Sequence, residues 1–221
     1  QHRFGVNQRN RLLKKGENTH LLSMTATPIP RTLALALYGD LDVSQIRELP
    51  PGRLPVATEV ISDNKLTELF KIVEKEIYKG KQAYVILPLI EDSEKLNLNS
   101  AIRIYEYLSN EIYPQFKVGL LHGKLNSEEK NSILDHFEEN KINILVSTTV
   151  IEVGIDVPNA SIMIIYNSER FGLSQLHQLR GRVGRDSYKS HCYLVTSDNN
   201  AVSNKRLKVL QNSNDGFFIA E

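Results

Sequence analysis

The chain has 221 residues, 41% hydrophobic and 24% charged, which suits one ordinary globular domain or one domain with pieces of its neighbours. Its 27 basic and 26 acidic residues leave a net charge of +1, so bulk charge alone does not announce a nucleic-acid binder. The single Cys192 excludes an internal disulfide framework and a cysteine-rich zinc site and fits a reducing compartment, and apolar runs such as Ile162–Tyr166 fall far short of the roughly 20 residues of a membrane span.

Residue 1 is Gln and no signal peptide precedes the first apolar run, so the chain reads as cut from a longer protein. His20–Met24 reads as a buried strand and Arg31–Tyr38 as a short helix opening after Pro30. Three prolines and a glycine within Leu49–Pro55 can continue neither a helix nor a central strand, which places a domain boundary there. Ala57–Ser62 is a β-rich run. Lys65–Tyr78 carries Leu66, Leu69, Ile72, Val73 and Ile77 at helical spacing. Gln82–Leu87 is again β-rich, Ser100–Ile112 helical, and Lys117–Leu121 a strand. Asn126, followed by Glu128 and Glu129, caps a helix running to about Glu139. Strands follow at Ile142–Ser147, Ser161–Asn167 and His191–Val195, and a helix at Asn200–Leu210. Alternation at this spacing implies βαβ units and an α/β fold with a mainly parallel, doubly wound sheet. The unbroken apolar runs Ile142–Val146 and Ile162–Tyr166 suit strands covered by helices on both faces.

Ligands of open parallel sheets sit at the carboxyl ends of strands, and each unusual cluster of this chain is read as following a strand. Gln178–Arg185 puts three arginines within six residues, spaced by Gly181 and Gly184. Guanidinium is always charged and forks onto phosphate oxygens, while glycine lets backbone approach a phosphate. A solvated basic helix end is the plainer reading of that run. Ser147, Thr148 and Thr149 follow a strand and suit backbone phosphates of nucleic acid, although helix capping explains Ser147 and Thr148 equally well. Asp156, after Gly154, can meet a ribose hydroxyl or an arginine, or serve as a turn residue before Pro158. Thr25 and Thr27 can bridge an ATP site to a neighbouring site, yet alone they are a strand end before a proline-started helix. His122-Gly123 after a strand is weak alone, since such a histidine is usually structural.

No G-x-x-x-x-G-K-[ST] loop occurs, because Gly119…Gly123-Lys124 has the wrong spacing and lacks the following hydroxyl. No aspartate–glutamate pair or His/Cys/Glu cluster offers a metal site. The expectation is that the chain alone does not hydrolyse ATP.

Taken together, the motifs resemble the second half of a superfamily 2 helicase: TATPIPRT (25–32) is similar to its motif III, STTVIEVGIDVP (147–158) to motif V and QLRGRVGR (178–185) to motif VI. QHRFGV (1–6) resembles the tail of a Walker B segment. YGDLDVSQIRELPPGR (38–53), YVILPLIEDSEK (84–95) and NDGFFIAE (214–221) resemble the branch-migrating bacterial helicases of that superfamily. The motor motifs alone are shared with transcription-repair coupling translocases, and an isolated, non-enzymatic DNA- or partner-binding module is the remaining alternative.

The resemblance implies a RecA-like, P-loop NTPase-type three-layer fold. Residues 1–50 would be a remnant of the first RecA-like lobe, 51–197 the second lobe and 198–221 the start of a C-terminal translocation region. It implies that Arg182 and Arg185 contact ATP, with Arg185 the preferred finger, and that Gln178 is the motif VI glutamine. Gly154 and Asp156 fall at the ATP cleft, and Ser147, Thr148 and Thr149 near DNA, where His122 and Gly123 join the nucleic-acid-binding candidates. Thr25 and Thr27 fall in the segment coupling the two sites. ATP and Mg2+ are implied for the full-length parent, with none bound by this chain alone. The implied partners are branched or duplex DNA and the missing first lobe, with no membrane, in a bacterial cytoplasm. An exposed edge at His20–Met24 would allow self-association.

Overall fold

The computed structural model describes residues 52–89, 94–148, 157–185, 188–197 and 201–216, together with Ile219 and seven isolated positions before residue 50. The strand expected over 20–24, the helix over 31–38 and the coupling pair Thr25 and Thr27 fall largely or wholly outside that set.

Six strands form one sheet: β1 (Ala57–Ser62), β2 (Gln82–Leu87), β3 (Val118–Leu121), β4 (Ile144–Thr148), β5 (Ala160–Ile165) and β6 (His191–Thr196). Their order is β1-β6-β5-β2-β4-β3, and every pairing is parallel. Every residue of β2, β4 and β5 is buried, which is why these strands read as unbroken apolar runs.

The period of two divides each strand between two cores. On one face Ala83, Val85, Ile144, Val146, Ile162 and Ile164 pack under α1 (Leu66–Tyr78), which contributes Leu69, Phe70, Val73 and Ile77, and α2 (Glu94–Tyr107), which contributes Ala101. On the other, Tyr84, Ile86, Leu145, Met163, Cys192 and Leu194 meet Phe137 of α3 (Ser127–Glu138), Leu176 and Leu179 of α4 (Leu173–Arg180), and Leu207 and Leu210 of α5 (Ala201–Asn212). The result is the expected three-layer, RecA-like arrangement.

Local signals explain most boundaries. Asn126 and Glu129 form a reciprocal capping box: the Asn126 side chain accepts from Glu129 N–H at 2.8 Å, and Glu129 Oε2 accepts from Asn126 N–H at 2.9 Å. The helix expected over Ser100–Ile112 begins earlier, at Glu94, and its last turn, Leu108–Ile112, widens into a π turn closed by Tyr113 N–H on the Leu108 carbonyl. β4 starts two residues later than the apolar run, because Ile142 lies ahead of the strand as a core anchor, beside Gly119. Helix α4 was not expected as a separate element. It places the arginine run behind a helix rather than behind a strand.

Candidate functional site

The candidate residues divide between the two opposite edges of the sheet. At the carboxyl edge, Leu121 of β3 pairs with Ser147 of β4, and Leu87 of β2 pairs with Thr148. His122 and Gly123, which leave β3, therefore adjoin the end of β4. Ser147 and Thr148 are themselves buried, and Ser147 Oγ donates to the Thr148 carbonyl at 2.7 Å. Thr149 lies outside the described residues. The β3–α3 turn is held by Lys130, whose Nζ donates to the Gly123 carbonyl at 3.1 Å. His122 Nδ1 is buried without a hydrogen-bond partner. Burial is the main cause that lowers the His122 pKa; Lys130 and Lys124 lower it further, against Glu129. Its ring is thus neutral near pH 7, and the positive charge beside it comes from Lys124 and Lys130.

The arginine run lies at the amino edge instead. Gly184 sits against Val56 and Ser190, the residues that immediately precede β1 and β6. The expectation that this run follows a strand thus gives way to a different geometry: the run begins in the last turn of α4, which carries the chain back across the sheet. Gly154 and Asp156 lie outside the described residues, and the chain resumes at Val157, which is buried three residues ahead of β5 at this same amino edge.

Three contacts fix the backbone of the run. Val183 is fully buried in the core beneath α4. Gly184 adopts φ +74° and lies so close to Val56 that an added Cβ would stand 2.7 Å from Val56 Cγ2, so only glycine fits both the conformation and the gap. Arg53, in the proline-rich stretch before β1, donates from Nε to the Gly184 carbonyl and from Nη2 to the Gly181 carbonyl, both at 3.0 Å. Arg182 and Arg185 are half-buried and extend from this anchored segment.

The three arginines of the run are not equivalent. Arg180 is 3% exposed and belongs to the core. Its Nη1 donates to the carbonyls of Leu210 and Ser213, both at 2.8 Å, and its Nη2 to Nδ1 of His177 at 2.8 Å. It joins the end of α4 to the end of α5 and is not available to a phosphate. The spacing carried a signal of this: Leu176, Leu179 and Arg180 lie on one helical face, and the first two are core residues. Arg53 was legible only as part of a linker, since nothing in its local pattern marks a contact to residues 128 and 131 positions away.

Two half-buried guanidiniums on an anchored backbone fit a polyphosphate by charge and by fork geometry. Among the described residues no group of three or more His, Cys, Asp or Glu is placed to hold a metal ion. No helix among them is long and apolar enough to cross a membrane.

Residues 64–187 match the helicase conserved C-terminal domain, and the chain belongs to that family. Within it, the chain is similar along its entire length to proteins named ATP-dependent DNA helicase RecG. It is 58% identical to that of Synechocystis, 53% to that of Thermotoga maritima and 50% to that of Bacillus subtilis. All of this chain is aligned in each case, but it spans only 27%, 28% and 32% of those proteins. A solved structure of RecG bound to a three-way DNA junction matches all of this chain and 28% of its own, at 48% identity and a TM-score of 0.81. The S. cerevisiae Dbp5 L327V bound to RNA and ADP BeF3 matches 97% of this chain and 54% of its own, at 21% identity and a TM-score of 0.65, a likeness of fold alone.

Proposed function

We propose that the parent of this chain is a RecG-type ATP-dependent DNA helicase and translocase that regresses stalled forks and migrates Holliday junctions in repair and recombination. In this reading the chain is the second RecA-like lobe. Its amino edge presents Arg182 and Arg185, with Gln178, to an ATP whose phosphates and Mg2+ are held by the first lobe, and Gly154 and Asp156 are assigned to the same nucleotide. Its carboxyl edge, where His122 and Gly123 leave β3 beside the buried Ser147 and Thr148, faces the DNA backbone, and Thr149 is assigned to the same contact. The observation that carries the reading is the arginine run pinned at one edge of the sheet, where two guanidiniums stand on a backbone that cannot drift. The RecG relatives support it, one of them named as bound to a three-way junction.

Chemically, the run contributes electrostatic stabilisation. Charge developing on a transferring phosphoryl group is met by fixed cations that need no reorganisation at the moment of reaction. ATP touching both lobes favours the closed state, and loss of the γ-phosphate releases it. Repeated closure moves the lobes along duplex DNA. Contacts to phosphates make the binding salt-sensitive and indifferent to sequence. The chain alone lacks a phosphate cradle and does not turn over ATP. The reading places the parent in a bacterial cytoplasm, and Thr25 and Thr27 between its two sites.

The full-length protein is tested with three- and four-way DNA junctions. ATP hydrolysis should drive junction conversion that a non-hydrolysable analogue does not support. Junctions left unconverted while ATP is consumed would contradict the branched-DNA role. Appreciable turnover by the 221-residue chain alone would contradict the division of labour between lobes.

A further inference from the structure

We infer that Arg53 is a positioning residue for the ATP-facing arginines, acting from the interlobe linker through the carbonyls of Gly181 and Gly184. The inference rests on the reading of Arg182 and Arg185 as phosphate-facing.

The geometry has three parts. First, Arg53 uses the Nε–Nη2 edge of its guanidinium, the pair of parallel donors that ordinarily forks a carboxylate. Here each donor takes a separate carbonyl, Gly184 and Gly181, at 3.0 Å. The two acceptors bracket Arg182, and Gly184 directly precedes Arg185. One rigid plane thus sets the spacing across the segment from which both arginines extend.

Second, the other restraints hold the segment from different directions. Val183 is anchored by burial, and the turn closes with Arg182 N–H on the Leu179 carbonyl at 2.9 Å and Val183 N–H on the Arg180 carbonyl at 3.3 Å. Gly184 abuts Val56, itself three residues after Arg53. Among the described residues neither of these restraints engages the Gly181 and Gly184 carbonyls; the peptide that leads into Arg182 keeps its N–H on Leu179, whereas the peptide that leads into Arg185 has its carbonyl oriented by Arg53.

Third, Arg53 sits in the stretch 52–55 immediately ahead of β1, next to Gly52 at φ +83°. It is a linker residue, outside every helix and strand. The segment joining the two lobes is therefore bonded to the run that completes the ATP site. A displacement of the linker reaches Arg182 and Arg185 through two hydrogen bonds.

A guanidinium that only orients others should affect the rate and leave ATP capture alone, because misplacing a transition-state contact by about an ångström costs on the order of 10²-fold. The test is steady-state, DNA-stimulated ATP hydrolysis by the full-length parent, with Arg53→Ala, Arg53→Lys and Arg185→Ala measured side by side. Arg53→Ala should lower kcat by about 10- to 100-fold with KM for ATP within about twofold, and free guanidinium should restore part of the loss. Arg53→Lys keeps the charge and a flexible stem but gathers its donors on one atom and loses the rigid plane that spaces the two carbonyls. It should fold normally and still lose most of kcat. Wild-type kcat in Arg53→Lys overturns the inference, as does a loss in Arg53→Ala that tracks a lower melting temperature and ignores guanidinium. If Arg185→Ala loses turnover and the Arg53 variants do not, this inference fails and the proposed function stands. If Arg185→Ala keeps turnover, the proposed function is what fails.

Discussion

Arg180 donates to Nδ1 of His177 at 2.8 Å, one helical turn back on α4, while its Nη1 holds the carbonyls of Leu210 and Ser213 at the end of α5. The ends of α4 and α5 are therefore tied by one buried cation. Truncating it strands two carbonyls and a ring nitrogen. Arg180→Ala should cost about 2–4 kcal/mol of stability, read as a lower denaturant midpoint. Arg182→Ala, from the half-buried neighbour, should cost under about 1 kcal/mol in the same measurement. Equal losses in the two variants would show that the run is not divided into structural and functional arginines.

His177 accepts from Arg180, so Nδ1 must be unprotonated and the ring neutral. Burial chiefly, and then the Arg180 charge, hold its pKa below the ordinary 6.5, against an opposing pull from Asp215. A histidine with a depressed folded pKa contributes stability that is complete above the unfolded value and is lost as pH falls through it toward the folded value. Between about pH 7.5 and pH 5.5 the chain should lose stability, and His177→Gln, which still offers an acceptor, should lose less over the same interval. Parallel pH profiles for the two proteins would remove His177 from the account.

Gly184 combines φ +74° with a Cβ position 2.7 Å from Val56 Cγ2. Gly184→Ala adds left-handed strain to a clash, for a cost of roughly 2 kcal/mol or more, and must displace the backbone that carries Arg185. Pairing it with Val56→Ala should relieve the clash and leave the strain, so the double variant should recover part of the stability. Failure to recover any would mean that the close approach does not limit this site.

Cys192 is fully buried, and burial pushes its thiol up to about 12. It should resist thiol reagents in the native state and react only on unfolding. Its labelling rate as denaturant is added should follow loss of the native signal. Rapid labelling of the native chain would contradict the packing of β6 against α4 and α5.

The sheet was legible in the sequence because its signals are local. Fully buried strands read as apolar runs, α1 as a 3.6-residue period, and α3 began at a cap visible in Asn126 and Glu129. The arginine run stood out in the sequence, but its position did not. Its placement depends on α4, whose eight residues offer a short and mixed pattern, and on Gly184 meeting Val56 from 128 residues away in the chain. Arg180 shares a helical face with the core residues Leu176 and Leu179, a periodic hint of burial, whereas Arg53 looks like any other basic residue. Side chain–backbone contacts of that range leave no periodic trace, so the carbonyls that these two arginines hold emerge only in three dimensions.

In the proposed reading the amino-edge arginines act on ATP while DNA is held elsewhere. The most direct measurement is DNA-stimulated ATP hydrolysis by the full-length parent carrying Arg185→Ala, alongside its binding to a three-way junction. Turnover should fall by about 10³-fold or more with junction affinity near that of the unaltered protein. Turnover at the unaltered rate, or a loss of junction binding equal to the loss of turnover, would contradict the account.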